Sequence, residues 1–537
     1  MTTLSSRHCS FMLVTLGLLL AAIASHAQTY TVLHNFVGGT DGCCANYPSQ
    51  MAQGEDGNIY GATTSDGSGG YGTIFKITPA GSFNVLHSFS FTDGAGPQGG
   101  ISLALDGNFY GTTYQGGTTS HGTIFKITPA GAFTSLYSFA NTTDGGFPRT
   151  PPVMAQDGNL YGVTGNDTSA VLYKLSSTGA FTVMGTLATM SYSPLLLGID
   201  GNLYGTTLGG GTYNGGTVFQ FSPSAKTIKT LFSFHTEWSP SGPLVQGVDG
   251  ALYGTTGSGG TGDGGCVFRV TTAGAYKLLY NFTVSGTSDG RYPLTGVVQG
   301  TDGFLYGVAS DGGSAGYGTL FKVSTSGTGF QTLYNFQTAT GDTPESALLL
   351  HTNGTLYGQT QHGGTDIPYG TIFSFTNKLK PFTEPLVLHS AKVGASVSLL
   401  GQGFTTATAV NFGATAATFS VKSDTFLVAK PAAGSTTAQI TVKEPSGNLL
   451  TFQKFKIVPS ITSFTPTSGP VGTEVTITGM SLSQATGVKF GGVKATAFTV
   501  NSNTQVTATV PTGAVTGKIS VVTPGGTGSS SGVFTVQ

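Results

Sequence analysis

The sequence predicts an all-β chain: a seven-bladed β-propeller closed by an N-terminal strand, followed by two small β-sandwich domains. Three observations carry this expectation. The phrase DGNFYGTTY at 106 returns at 56, 157, 200, 249 and 302, and as NGTLYGQTQ at 353. Its aromatic falls at Tyr60, Tyr110, Tyr161, Tyr204, Tyr253, Tyr306 and Tyr357, at intervals of 50, 51, 43, 49, 53 and 51 residues. A period near fifty, with β-type residues throughout, marks a propeller blade rather than a helical solenoid. After Thr376 the phrase stops, and short alternating strands between Gly and Pro turns replace it.

Each blade reads as four strands. In the second copy these are residues 101–105, 109–114, 122–128 (GTIFKIT) and 133–139 (FTSLYSF). Asp106-Gly107 between the first two is a strong hairpin signal, read as a type I′ turn, which needs positive φ at both central positions. Pro129-Ala130-Gly131 turns the third strand into the fourth. The third-strand phrase also occurs seven times, at 72, 122, 170, 216, 265, 318 and 370. The fourth-strand phrase follows copies one, two, four, five and six, is degraded around 181–190 in copy three, and is missing after copy seven. YTVLHNF at 30–36 precedes the first copy and matches the missing strand. A ring whose first strand completes its last blade leaves no open sheet edge at a seam, so Val32 to Phe36 are expected to pair with the strand holding Ile372 and Phe373.

Length and composition agree with several domains and a folded, turn-rich chain. The 537 residues include 84 Gly and one Trp, and only 8% are charged, while single cores stop growing near ~250–300 residues. Residues 28–377 hold 19 acidic against 10 basic side chains, and residues 378–537 hold 4 against 11. This asymmetry marks a domain boundary and two different surfaces. Neither part has a dense basic run, which argues against a nucleic-acid partner.

The N-terminus carries Arg7, an apolar run from Phe11 to Ile23 and Ser25-His26-Ala27 before Gln28. Residues 1–27 therefore read as a signal peptide, with no membrane insertion after its removal. The mature chain is expected to be exported to the periplasm, the cell surface or the extracellular space. Three cysteines remain, Cys43, Cys44 and Cys266, too few for a disulfide scaffold; an oxidising compartment allows one bridge from Cys43 or Cys44 to Cys266, with an odd thiol left, and the sequence leaves the pairing open.

The combination of DGN-L-Y-G-T-T, a Gly-rich stretch and G-T-x-F-K-x-T-P-x-G resembles the GloVer tandem-repeat family of bacterial exported proteins. It is more distantly similar to the repeats of two-component-regulator propellers, where a Trp usually stands in place of this Tyr. The resemblance covers all seven copies; copy three departs most, with AVLYKL for GTIFKI. It implies the propeller architecture and export, and no activity.

From Pro466 the sequence reads P-x-x-G-P-x-G-x-x-V-x-I-x-G, then V-x-F-G-G-V at 488–493 and P-x-G at Pro511. These motifs resemble IPT/TIG domains, which implies an immunoglobulin-like sandwich over 458–537. Residues 378–457 carry a looser version, with VSLLGQGF at 397 and VNFGATAATF at 410 but no Gly-Pro pair at the opening, and read as a degenerate domain of the same class.

If the strands run as described, the DGN and PAG turns share one end of the disc, and the loops between second and third strands and between blades share the other. The turns are short and repeat; the loops are longer and differ in every copy, and variable loops on a rigid scaffold are the usual place for recognition. Tyr71, His121, Tyr213, Trp238, Arg291, Tyr292, Tyr317, His362 and Tyr369 would share that rim, where aromatic rings beside polar loops suit a carbohydrate or a protein ligand. Each of these has a plainer reading as a blade-edge cover, as the repeated Tyr and Phe read as packing between blades.

Catalysis finds little support. G-x-S-x-G, H-E-x-x-H, a P-loop and the sialidase Asp box are all missing, the histidines do not cluster, and no cofactor or metal is implied. The carboxylates best placed for chemistry are Asp93, Asp144, Asp289 and Asp342 near the blade junctions. The expectation is therefore an exported, non-catalytic binding or adhesion protein, the alternative a polysaccharide lyase or hydrolase using carboxylates on the same face.

Overall fold

The computed structural model describes residues 28–45, 49–165, 170–235, 238–284, 288–365 and 368–537; the expected signal peptide lies outside them. Residues 28–377 form seven four-stranded antiparallel sheets in a propeller-like array, one sheet for each copy of the repeat. The first runs Ala52–Gln53, Ile59–Thr63, Thr73–Ile77 and Phe83–Ser88, and the next five repeat this order. The seventh consists of Leu349–Leu350, Thr355–Gln359 and Thr371–Thr376 with Thr29–Asn35 as its outer strand. In that pairing Val32 faces Phe373 and His34 faces Ile372.

The geometry of one sheet explains the repeated phrase residue by residue. Gly107 N–H donates to the Ala104 carbonyl and Ala104 N–H to the Asn108 carbonyl. Gly107 has φ 73° while Asp106 is not among the positive-φ residues. The hairpin is thus a type I turn followed by a left-handed glycine, not the type I′ turn expected from Asp-Gly. The aspartate is needed for a different reason. Asp106 Oδ1 accepts from Asn108 N–H at 3.2 Å, and Oδ2 accepts from the Tyr110 hydroxyl at 2.8 Å. The same carboxylate-to-tyrosine bond joins Asp56 to Tyr60, Asp157 to Tyr161, Asp200 to Tyr204, Asp249 to Tyr253 and Asp302 to Tyr306 at 2.7–2.9 Å. In the seventh copy Asn353 Nδ2 donates to Tyr357 Oη at 3.2 Å instead.

The glycine after each tyrosine makes room for the aromatic ring of the third strand. A Cβ on Gly205 would lie 2.7 Å from Phe219 Cζ, and one on Gly254 2.7 Å from Phe268 Cζ. At the loop end of the sheets, paired hydroxyls close the second and third strands: Thr63 with Thr73 at 2.8 Å, Thr113 with Thr123 at 2.9 Å, Thr207 with Thr217 at 2.8 Å. Cys266 occupies this threonine position in the fifth sheet, buried and 3.2 Å from Thr256 Oγ1.

Neighbouring sheets meet through rings on the outer strands. His34 stacks on Phe83, His87 on Phe133, Tyr137 on Phe181, Phe232 on Tyr276, Tyr280 on Phe330 and Tyr334 on Tyr30, with centroids 3.7–4.3 Å apart. Offset stacking of this kind adds to the area buried. Thr29–Asn35 therefore serves both of its neighbours, stacking through Tyr30 on the sixth sheet and through His34 on the first. Between the third and fourth sheets, Ile228 lies against Gly185 instead.

Residues 378–457 fold as one seven-stranded sheet wrapped around Val397, Leu399, Phe404, Val410, Phe412, Leu427 and Ile440, with a small parallel pair at Ser390–Ala391 and Lys456–Ile457. Its long strand Thr415–Ser423 pairs with Ala409–Phe412 at one end and Phe426–Lys430 at the other, so a single strand crosses between the two layers. In the last domain the corresponding stretch is two separate strands, Val493–Lys494 and Phe498–Val500, and the layers are separate sheets of five and four strands.

The first of these domains docks on the turn end of the propeller-like array. Ser423 and Thr425 hydroxyls donate to the Glu55 carbonyl at 3.1 and 2.7 Å. Gln453 Nε2 donates to the Gln246 carbonyl at 3.0 Å, Gln402 Nε2 to Thr352 Oγ1 at 2.9 Å, and Lys380 N–H to Thr301 Oγ1 at 2.7 Å. Phe382 N–H donates to the Thr352 carbonyl at 3.0 Å. The domain thus touches the turn end at Glu55, Gln246, Thr301 and Thr352, while Asp56, Asp106, Asp157, Asp200, Asp249 and Asp302 of the repeated turns stay exposed.

Candidate functional site

The loop end is the opposite one, and the rim residues expected there separate into three groups. Tyr71, His121, Tyr317 and Tyr369 each directly precede the glycine that opens a third strand, so they occupy one structural position in the first, second, sixth and seventh sheets. These sheets are consecutive around the array. Tyr71 is 41% exposed and Tyr317 43%; Phe91, beside Tyr71 with centroids 5.4 Å apart, is exposed as well. His121 is half-buried with its ring edge toward Phe147, and its Nδ1 is buried without a hydrogen-bond partner. Tyr369 is half-buried against the core that contains Phe36 and Ile372.

Tyr213, 49% exposed, stands apart in the fourth sheet and stacks on His235 with centroids 4.5 Å apart. The remaining four are occupied. Trp238 is not the free rim residue its loop suggested: it packs on Phe234 and Tyr276 at the edge of a buried cluster. Arg291 pairs with Asp311 at 2.7 Å and donates to the Val284 carbonyl at 3.1 Å. Tyr292 has φ 58° and its carbonyl accepts from Ser310. The His362 ring lies 3.0 Å from the Pro368 carbonyl through Nδ1.

All four carboxylates considered for chemistry accept hydrogen bonds from nearby groups. Asp93 accepts from Ser90 N–H at 2.9 Å and meets His87 at 3.0 Å. Asp144 accepts from Ala140 N–H, Thr142 N–H and the Tyr137 hydroxyl at 2.8–3.1 Å. Burial raises the Asp144 carboxyl, but those donors outweigh it and hold the group below the usual carboxylate range. Asp289 accepts from Tyr280 at 2.6 Å, and the buried Asp342 accepts from Thr343 Oγ1 at 3.1 Å.

One constellation escaped the sequence reading. The Arg149 guanidinium lies over the rings of both Tyr114, at 4.2 Å, and Tyr192, at 4.8 Å, and donates to Gln98 Oε1 at 2.7 Å. A cation held between two rings is a cation–π arrangement, and its three members come from loop-end segments of three different copies. The signal available was the departure of FPRTP at 147–151 from its counterparts PQGG at 97 and PLTG at 293.

Cys43 and Cys44 are joined to each other as an adjacent-residue disulfide. Of the pairings left open by the sequence, the bridge to Cys266 is therefore not the one formed; Cys266 is a free buried thiol in the fifth sheet.

Among solved structures, an oligogalacturonate lyase from Vibrio parahaemolyticus is 11% identical with a TM-score of 0.43, covering 65% of this chain and 97% of that one. TolB from Acinetobacter baumannii is 14% identical with a TM-score of 0.32, covering 62% of this chain and 80% of its own. A surface glycan-binding protein from Prevotella bryantii is 20% identical with a TM-score of 0.22, over 28% of this chain and 41% of that protein. No curated protein matches the chain. The IPT/TIG domain model matches residues 459–536. The Gloeobacter/Verrucomicrobia repeat model matches residues 20–194, 185–299 and 283–448, and the chain belongs to that repeat family.

Proposed function

We propose that the chain is an exported binding protein whose seven sheets act as a closed seven-bladed ring, and that its ligand, a carbohydrate, sits on the loop end. The observation that carries this is the set of exposed rings that the varied loops present, Tyr71 and Tyr317 above all, whereas the turn end repeats one small motif and holds the docked domain. On that face Tyr317, Tyr369, Tyr71 and His121 form an aromatic arc over four consecutive sheets. Rings standing among Gly-rich polar loops suit the alternating apolar faces and hydroxyl edges of a sugar chain. The reading is non-catalytic because Asp93 and Asp144 spend both oxygens on donors of their own copy, and Asp289 accepts from Tyr280.

The test is a glycan array followed by calorimetry on the mature protein and on the double variant Tyr71→Ala/Tyr317→Ala. Exposed loop rings contribute little to folding, so stability should stay within about 0.5 kcal/mol while affinity falls at least tenfold. Unchanged affinity would move the site elsewhere, and accumulation of cleaved glycan would favour a polysaccharide lyase or hydrolase.

A further inference from the structure

We propose a second binding site, independent of the loop end: the central cavity above the docked domain takes a small apolar amine, whose ammonium group pairs with the carboxylate of Glu384. The cavity consists of two adjoining pockets of about 300 Å³ each, which share Leu196, Leu197, Leu349, Leu350, Glu384 and His389. Residues from the innermost strands of all seven sheets line one or the other. The floor comes from residues 382–389 of the docked domain, where Glu384 pairs through its backbone with Leu400.

Glu384 is an unusual side chain for such a place. By area the side chain is exposed, opening into the cavity, and the protein packed around that cavity pushes its carboxyl up to about 7. Among the described residues, none forms a side-chain hydrogen bond or ion pair with it. An ionised carboxylate left unpaired in apolar surroundings is costly, and that cost is relieved when a cation arrives. His389 does not supply the cation: burial, with Lys456 nearby, holds its ring down to about 4, so it is neutral near pH 7.

The other walls define the rest of the ligand. The walls are mostly leucine and valine, and the glutamines among them, Gln53, Gln246, Gln299 and Gln453, already bond within the protein. A sugar's hydroxyls would find few free partners there, an anion would meet the carboxylate, and a neutral hydrocarbon would leave the carboxyl unanswered. Phe382 and Phe452, in edge contact with centroids 4.7 Å apart, line the same pocket, and aromatic rings beside a carboxylate favour an ammonium group. As to size, a cavity of roughly 150 Å³ suffices for benzene, so each pocket has room for a ring with a short alkyl chain.

The experiment is titration calorimetry of the full mature chain with 4-phenylbutylamine, 4-phenylbutan-1-ol and 4-phenylbutyrate at pH 7. The amine should bind, the alcohol at least tenfold more weakly, and the carboxylate more weakly still. Glu384→Gln should lower amine affinity at least tenfold while retaining cooperative melting, and Leu349→Trp should exclude all three by filling the pocket. With the parent chain, amine binding should release a proton, seen as a dependence of the apparent enthalpy on buffer, and this should vanish in Glu384→Gln. Absence of amine binding, equal affinity for amine and alcohol, or undiminished affinity in Glu384→Gln would overturn the proposal. None of these outcomes depends on whether a glycan binds the loop end.

Discussion

The Tyr204 hydroxyl donates to Asp200 Oδ2 at 2.7 Å, and Gln220 Nε2 on the neighbouring strand donates to the same tyrosine oxygen at 2.9 Å. A buried ring is thereby fixed at its polar tip by the turn four residues before it. Tyr204→Phe should cost about 0.5–1.5 kcal/mol, the usual net worth of one hydrogen bond. Asp200→Asn should cost less than Asp200→Ala, because the amide oxygen can still accept from Asn202 N–H, as Asn353 does from Thr355 N–H at 2.8 Å. Guanidinium denaturation of the three variants checks the order; an Asn variant as unstable as the Ala variant would show that charge, and not the turn bond, holds the tyrosine.

The close approach of Gly254 to Phe268 predicts a coupling of opposite sign to most pairs. Gly254→Ala brings a methyl within 2.7 Å of the ring, an overpacking that should cost about 1–3 kcal/mol. Phe268→Leu alone also destabilises, through the cavity it leaves. Together the two should cost less than their sum, since the smaller side chain makes room for the methyl. A double-mutant cycle measures this, and strict additivity would mean that the glycine is there for another reason.

These two pairs show how far the sequence could be read. Period, strand order and the displaced YTVLHNF segment are local or repetitive signals, so the all-β propeller-like array was legible from spacing alone. The turn type was not, because Asp106-Gly107 suits two hairpins, and the carboxylate's bond to Tyr110 decides for the one with a single left-handed glycine. The docking of residues 378–457 on the turns rests on scattered hydroxyls such as Ser423 and Thr425, which carry no pattern. At the candidate site, Tyr71 and Tyr317 were identified as exposed rings, whereas Trp238 lost its place to Phe234 and Tyr276, a contact between residues of adjoining sheets. Arg149 between Tyr114 and Tyr192 joins three copies, and no single repeat could have announced it.

Cys266 stands where other sheets have threonine, and burial pushes its thiol up to about 12. A thiol so raised and so covered is a poor nucleophile. The folded protein should resist iodoacetamide at pH 8 and incorporate one equivalent at Cys266 only after denaturation, by mass spectrometry. Cys266→Thr should be tolerated within about 1 kcal/mol, since it restores the hydroxyl pair made by Thr113 and Thr123. Rapid labelling of the native chain would contradict the buried placement.

Glu384 and His389 line one cavity and should act on stability with opposite signs. Glu384, raised by burial from 4.5 to about 7, binds its proton more tightly in the folded chain. Its contribution is complete below pH 4.5 and is lost as pH rises through 7. His389, lowered by burial from 6.5 to about 4, binds its proton less tightly when folded, so stability is fullest above pH 6.5 and falls as pH drops toward 4. Between 4.5 and 6.5 the two slopes oppose each other. Asp56, Asp106 and Asp249, held below the ordinary 3.8 by their hydrogen bonds against the burial that raises them, act at lower pH. His34, His87 and His351, lowered from 6.5 by burial, and Glu55 and Glu444, raised from 4.5 by burial, are common to parent and variants and cancel in the difference. Relative to the parent chain, Glu384→Gln should therefore gain stability as pH rises from 4.5 to 7, and His389→Gln should lose it from 4 to 6.5. Denaturant unfolding at pH 4.5, 5.5, 6.5 and 7.5 reads both differences, and parallel profiles for parent and variants would show that neither group changes its protonation on folding.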